Sequence, residues 1–291
     1  MMQFTSKQYL IVAAMLSLLL SSCQKADLQP VETADSGEKL FFTALNFSGY
    51  TWTVRNSNNT QQGPGGNYFS PKNTVVFVDA NGDLHLKILK NNKKWLCSEV
   101  YMQQATGYGK YIFTTKGNLE SYDKKIVAGL FTWDNFNYQS QANSELDVEF
   151  ARWGIGNNTD VMSYSVQPTR GGVYTERAFI PTSDLVYDVQ GYTTHIIDWN
   201  ASRVKFESHS GEDTTIATLT HSFVFDTNNP PRTANEGGVI SDPIVIPAPG
   251  SDTRPHINFW LFDANGNGKG DAPSNGLNAE LVIHKFQYIP Y

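Results

Sequence analysis

Residues 143–152 read Asn-Ser-Glu-Leu-Asp-Val-Glu-Phe-Ala-Arg, so Glu145, Asp147 and Glu149 alternate with Leu146, Val148 and Phe150. On a β-strand successive side chains point to opposite faces, which puts three carboxylates on one face and three apolar groups into a core. A helix would scatter the acids and leave the apolar residues without a common stripe. Like charges two residues apart repel, and at least one of the three is pushed toward its protonated form. Such a row is either a solvated face or cation site, or a set of coupled acids suited to glycoside hydrolysis. In the second case one acid stays protonated to donate to a leaving oxygen, while another stays ionised to attack the sugar or stabilise its cation. Glu145 and Glu149 would stand about 13 Å apart along an ideal strand. Their carboxyls reach the roughly 5–5.5 Å of a retaining pair only where the strand curves and both side chains lean inward. Asp147, between them, is placed to hydrogen-bond either one and hold their pKa values apart.

A strand of this kind needs a sheet around it. Short runs rich in β-branched and aromatic residues, bounded by Gly, Asn, Asp and Pro, recur at 74–79, 84–89, 99–103, 110–116, 126–133, 144–152, 161–167, 193–199, 204–209, 257–262 and 279–288. No stretch shows a helical period, and there are no internal repeats. Asp79-Ala-Asn-Gly-Asp83 reads as a tight hairpin turn, with Asn81 and Gly82 supplying the positive-φ positions. The Pro-rich segment 229–254 lacks alternation and reads as a long surface insertion. So many strands without helices predict an all-β sandwich of two antiparallel sheets, forming one domain over residues 45–291.

The chain has 291 residues, 40% hydrophobic, 13% aromatic and only 17% charged, a balance that excludes a disordered protein. Its net charge of −6 offers no positive field for nucleic acid. Near the start, Lys7 is followed by an apolar run from Tyr9 to Leu20, the length of a secretory signal and short of the roughly 20 residues that span a bilayer. The run ends in Leu20-Ser-Ser-Cys23, which resembles the bacterial lipobox. That resemblance implies a lipoprotein signal peptide over 1–22, a lipidated Cys23 and a polar tether over 23–44. It also implies an exported monomer that meets the membrane through its lipid alone. Gln24, where Asp would resemble an inner-membrane retention signal, points to the outer membrane, facing the periplasm or the surface. With Cys23 acylated, Cys97 has no disulfide partner and is expected to be a buried thiol.

Glu145-Leu-Asp-Val-Glu149 resembles the Glu-x-Asp-x-Glu signature of glycoside hydrolase family 16, in the concanavalin A-like lectin and glucanase superfamily. The likeness continues through Glu99, Gly107-Tyr-Gly-Lys-Tyr111 and Gly129-Leu-Phe-Thr-Trp133 upstream. Downstream it takes in His195-Ile-Ile-Asp-Trp199, Arg203-Val-Lys-Phe206, Gly211, Ile257-Asn-Phe-Trp260 and the closing strand at 283–291. It implies a concanavalin A-like jelly roll and a retaining endo-glycosidase acting on a β-linked polysaccharide, a β-1,3- or mixed-linkage glucan. Glu145 would be the nucleophile, Glu149 the general acid/base, and Asp147 a hydrogen-bonding aid. The chain departs from the family's glucanases at Asn143, where they carry Trp. It departs again at Ala151-Arg-Trp-Gly154, where they carry Leu-Gly, and at Tyr164-Ser-Val-Gln167-Pro168.

Sugar rings present apolar faces, so a glycan cleft needs aromatic platforms beside polar groups. The resemblance implies that Trp133 and Trp260, which match aromatic cleft positions of the family and have polar neighbours in Asp134 and Asn258, and Glu99, which matches a position that binds sugar hydroxyls, contact substrate; Trp153, Gln167 and Asn258 are expected beside them. Trp153 is included because it sits four residues past Glu149, on the same strand parity. Trp52, Trp95 and Trp199 are assigned to core or rim, and His195 to a structural hydrogen bond. Asp263-x-Asn265-x-Asn267-Gly268 matches the opening of a calcium loop, but position twelve is Ser274 instead of Glu, which favours an Asn/Gly-rich turn. No cofactor and no metal ligand are expected, although the family resemblance leaves room for a structural calcium ion. The rival reading is a non-catalytic glycan-binding lipoprotein on the same fold.

Overall fold

The computed structural model describes residues 43–136, 144–167, 179–228 and 245–291. The signal peptide, Cys23, nearly all of the tether, Asn143, Pro168 and most of the 229–254 insertion lie outside the described residues.

Apolar alternation produces the strands β1 (Ala44–Phe47), β2 (Tyr50–Val54), β3 (Tyr68–Phe69), β4 (Val76–Val78), β5 (Leu84–Asn91), β6 (Lys94–Met102), β7 (Gly109–Lys116) and β8 (Ile126–Trp133). They are followed by β9 (Leu146–Ala151), β10 (Met162–Val166), β11 (Phe179–Thr182), β12 (Tyr192–Asn200), β13 (Arg203–Ser210), β14 (Leu219–Phe225), β15 (Arg254–Leu261) and β16 (Ala279–Pro290). The front sheet runs β11-β10-β9-β8-β15-β6-β2-β1 and the back sheet β4-β5-β16-β7-β12-β13-β14. All pairings are antiparallel except β3 with β6. The β5–β6 hairpin pairs Leu89 with Leu96 and Asn91 with Lys94, carrying the hydrogen bonding from one sheet into the other. The result is an all-β sandwich, closed along one edge toward a barrel, of the concanavalin A-like jelly-roll type.

Between the sheets the alternation resolves into a dry core. Leu146, Val148 and Phe150 of β9 pack inward with Ile257 and Phe259 of β15. The back sheet contributes Phe113, Trp199, Phe206 and Phe286. Trp52 and Trp199 are fully buried, and Trp95 packs part-buried at the margin of the core. Cys97 is buried and free, and burial pushes its thiol pKa well above the ordinary range. One polar chain crosses this core. Thr115 bonds Thr193 (2.7 Å), Thr193 bonds His195 Nε2 (2.9 Å), His195 Nδ1 bonds Ser208 (2.8 Å), and Ser208 bonds the Tyr164 hydroxyl (2.5 Å). Burial lowers the His195 pKa to about 3, so it is a neutral histidine with both ring nitrogens hydrogen-bonded to hydroxyls.

The 79–83 turn does join β4 to β5, but only Gly82 is left-handed (φ 87°). Asn81 instead donates its backbone and side-chain N–H groups to the Asp79 carboxylate, an Asx-type turn that needs one positive φ. The calcium-like segment is likewise folded on itself: Asp263 accepts from the N–H groups of Asn267 (3.0 Å) and Gly268 (2.6 Å). No group of three His, Cys, Asp or Glu side chains placed to hold a metal ion occurs among the described residues.

Candidate active site

Residues directly opposite in an antiparallel pair share a face, so the strand registers lay out the front sheet's outer surface row by row. The first row is Ser163, Glu149, Gly129, Asn258 and Glu99, on β10, β9, β8, β15 and β6. A second row runs Ser165, Asp147, Phe131, His256, Tyr101 and on to Thr53 of β2. One pleat further, Trp133 pairs with Arg254, and Glu145 sits just before β9, its carbonyl accepting from Gln167 N–H (3.1 Å). From β9 across to β2 these rows form the floor of a cleft of about 890 Å³ whose lining includes all three acids.

The floor carries two kinds of carboxylate. Asp147 is pushed up to about 7 by burial, against the opposing pull of a hydrogen bond from Gln167 Nε2 (3.0 Å). Glu149 is raised by burial and by the Asp147 charge, and Glu145 by burial and then by both neighbouring acids. Their tips open to the cleft while their surroundings are almost wholly protein, and the acids therefore hold protons that isolated carboxylates would release. Glu99 is the opposite case. Burial raises it, but His256 Nδ1 (3.1 Å) and the Arg55 guanidinium (2.6 Å) outweigh burial and hold its pKa below the usual range. His256 is itself fixed between the rings of Phe131 and Tyr101, at 5.0 and 5.1 Å.

The aromatic residues separate. Trp133 lines the cleft with its indole N–H bonded to Asn135 (3.0 Å), which Asp252 and Arg254 brace in turn. Trp260 and Asn258 also line it, and the Trp260 Nε1 and Asn258 Oδ1 atoms are buried without a protein partner. Trp153 does not reach the cleft. Strand parity fails because β9 ends at Ala151, after which Trp153 turns back with φ 53° and packs beside Trp260 and Phe262. It props a cleft residue from the side. Gln167 likewise acts through Asp147 and is not part of the lining.

Arg55, Tyr101, Phe131, His256 and Arg254 line the cleft but do not stand out in the sequence. Phe131 and His256 lie two residues before Trp133 and Asn258, so alternation from those positions would have pointed to them. Arg55 left no such signal, because it is brought to Glu99 by a strand pairing across 44 residues.

No family model matches the sequence, and no curated protein matches it. Solved structures do share the fold. A β-glucanase of Bacillus licheniformis superposes with a TM-score of 0.55 at 17% identity, over 88% of this chain and 100% of its own. A β-1,3-1,4-glucanase (lichenase) from a mouse hindgut metagenome gives a TM-score of 0.51 at 17% identity, over 82% and 93%. An immunostimulatory antigen and pseudo β-1,3-glucanase of Mycobacterium tuberculosis gives 0.55 at 16% identity, over 82% and 91%. At these identities the likeness is one of fold: the chain has a glycoside-hydrolase-like jelly roll related to that of β-glucanases.

Proposed function

We propose that this protein is a retaining endo-glycosidase that hydrolyses a β-linked polysaccharide, a β-1,3- or mixed-linkage β-glucan. The observation that carries the reading is the row of three carboxylates on a cleft floor, each held above its ordinary pKa by burial. Protonated Glu149 donates to the glycosidic oxygen as the Glu145 carboxylate attacks the anomeric carbon. Water, activated by the carboxylate that Glu149 has become, then releases the glycosyl ester with net retention. Asp147 separates the two roles by taking a share of the charge. The cleft crosses five strands at a spacing of about 4.8 Å, roughly 19 Å in all. That length fits several sugar rings lying across Trp133 and Trp260, and suits attack within a chain. The export signal and Cys23 lipobox support the further proposal that the domain works at an outer membrane, tethered by lipid.

Reducing-end release should be measured with the purified protein on laminarin, mixed-linkage glucan, xyloglucan and galactans, with Glu145→Gln alongside. Cleavage of one polymer that disappears in the variant supports the reading. Silence on every polymer, with retention on an affinity gel of one of them, would favour a glycan-binding protein. That the Mycobacterium tuberculosis protein of this fold is a pseudo β-1,3-glucanase motivates that second reading.

Gly129 offers a milder test. It stands opposite Glu149, and a Cβ there would fall 2.5 Å from Asn258 Oδ1. Gly129→Ala should push the Asn258 amide aside and weaken oligosaccharide binding about tenfold, the worth of one well-placed hydrogen bond. The melting temperature should hardly change, because the clash is with a side-chain tip. Calorimetric titration checks this, and unaltered affinity would remove Asn258 from the binding surface.

A further inference from the structure

On the far flank of the acids, β10 presents Ser163 opposite Glu149 and Ser165 opposite Asp147. Both side chains are buried, 2% and 1% exposed, and neither Oγ has a hydrogen-bond partner. The neighbouring Tyr164 faces the core and bonds Ser208, and Gln167 bonds Asp147, so β10 is held at this register by other groups. Two buried hydroxyls left unmade are a standing cost. Opposed residues in an antiparallel pair have Cβ atoms about 4.5–5.5 Å apart, and a serine hydroxyl can rotate toward whichever acceptor forms there.

We infer that Ser163 and Ser165 are positioning residues, whose hydroxyls donate to the Glu149 and Asp147 carboxylates when these ionise. The inference rests on the reading of Glu149 as the group that gives and takes a proton. Among the described residues, the charged groups that face Glu149 leave this task to β10. Its own strand supplies Asp147, and the residue just before that strand is Glu145, both acidic. β8 supplies Gly129, Phe131 and Trp133, none of them charged. On β15 and β6, His256 is engaged with Glu99, Glu99 with Arg55, and Arg254 with Asp252. No cation on these strands is free to stabilise Glu149 after it has lost its proton. A hydroxyl opposite it supplies a donor without adding a charge, so the residue can still be reprotonated.

The test is a side-chain carboxyl titration by 13C NMR on the purified protein labelled at Glu and Asp, with Glu149→Gln and Asp147→Asn for assignment. In Ser163→Ala the Glu149 midpoint should rise by roughly 0.5–1 pH unit, the shift expected from losing one donor to the charged form. Ser163→Thr, which keeps the hydroxyl, should leave it in place. Ser165→Ala should raise the Asp147 midpoint by less, because Gln167 still donates there. With an active polymer identified, the alkaline limb of the kcat/KM profile should move up with the Glu149 midpoint. An unmoved midpoint in Ser163→Ala, or an equal shift in Ser163→Thr, overturns the inference. A wild-type protein inert on every polymer, with the midpoints still shifting, would overturn the hydrolase reading and leave the hydrogen bonds standing.

Discussion

Glu145→Gln and Glu149→Gln should each lower turnover by about 10³-fold or more, while both variants melt at a higher temperature than the wild type at neutral pH. The loss of rate follows from the roles: an amide neither attacks the anomeric carbon nor gives up a proton to the leaving oxygen, and a positioned acid or base alone contributes about 10²–10⁴-fold. The gain in stability follows from the environment, since each glutamine removes a carboxyl whose ionisation is disfavoured by burial and by Asp147, and for Glu145 by Glu149 as well. The two variants should also differ from each other. With an aryl glycoside, whose leaving group departs without a proton, Glu149→Gln should still form the glycosyl ester and stall there, whereas Glu145→Gln should not react. Rapid-quench mass spectrometry separates these cases. Full activity in either variant would remove that residue from the mechanism.

The three acids of the row should each cost stability as pH rises from about 4 toward 7, the reverse of the usual acid unfolding. A carboxyl whose pKa is raised by folding binds its proton more tightly in the native state. Its penalty is therefore absent below the unfolded value and complete above the folded one. For Asp147 that window runs from 3.8 to about 7, and Glu145 and Glu149 are shifted in the same direction. Glu99 has the opposite sign: its depressed pKa contributes stability above the ordinary carboxylate range, which is lost as pH falls through its folded value. Asp79, Asp252 and Glu280 are lowered like Glu99, and the depressed His195 and His209 gain stability as pH rises toward 6.5, so the contribution of the acidic row is read from the difference between the wild-type curve and that of Asp147→Asn. Asp147→Asn should flatten the decline and add on the order of 3–4 kcal/mol at neutral pH. Urea denaturation at steps between pH 4 and 8 checks both statements. An Asp147→Asn variant that gains no stability over the wild type as pH rises through this range would contradict the assignment of the acids as proton holders.

The acidic row was legible in the sequence because alternation is a local signal: Leu146, Val148 and Phe150 are buried and the acids between them line the cleft. Glu99, Trp133, Asn258 and Trp260, which also line the cleft, were reached instead through the family resemblance and polar neighbours. Alternation failed at Trp153, where parity was carried past the end of the strand. The β1–β2 hairpin was missed because its turn, Ser48-Gly49, is short and left-handed at both positions (φ 52° and 83°). β14 was missed because its residues Leu219–Ser222 are polar or only part-buried. The Arg55–Glu99–His256 cluster is written into pairings 44 and 157 residues apart, which no local pattern carries.

The last two strands of the chain are both interior ones. β15 lies between β6 and β8, and β16 between β5 and β7. Until residues 254–290 have been synthesised, the front sheet is split beside β8 and β9 and the back sheet is split through its middle. Folding of this topology is governed by contacts of long sequence separation and is correspondingly slow. A chain ending at Thr253 should be digested by trypsin at the rate of an unfolded protein, and resistance in that fragment would refute the point. A nascent polypeptide of this order stays open until its last two strands have emerged.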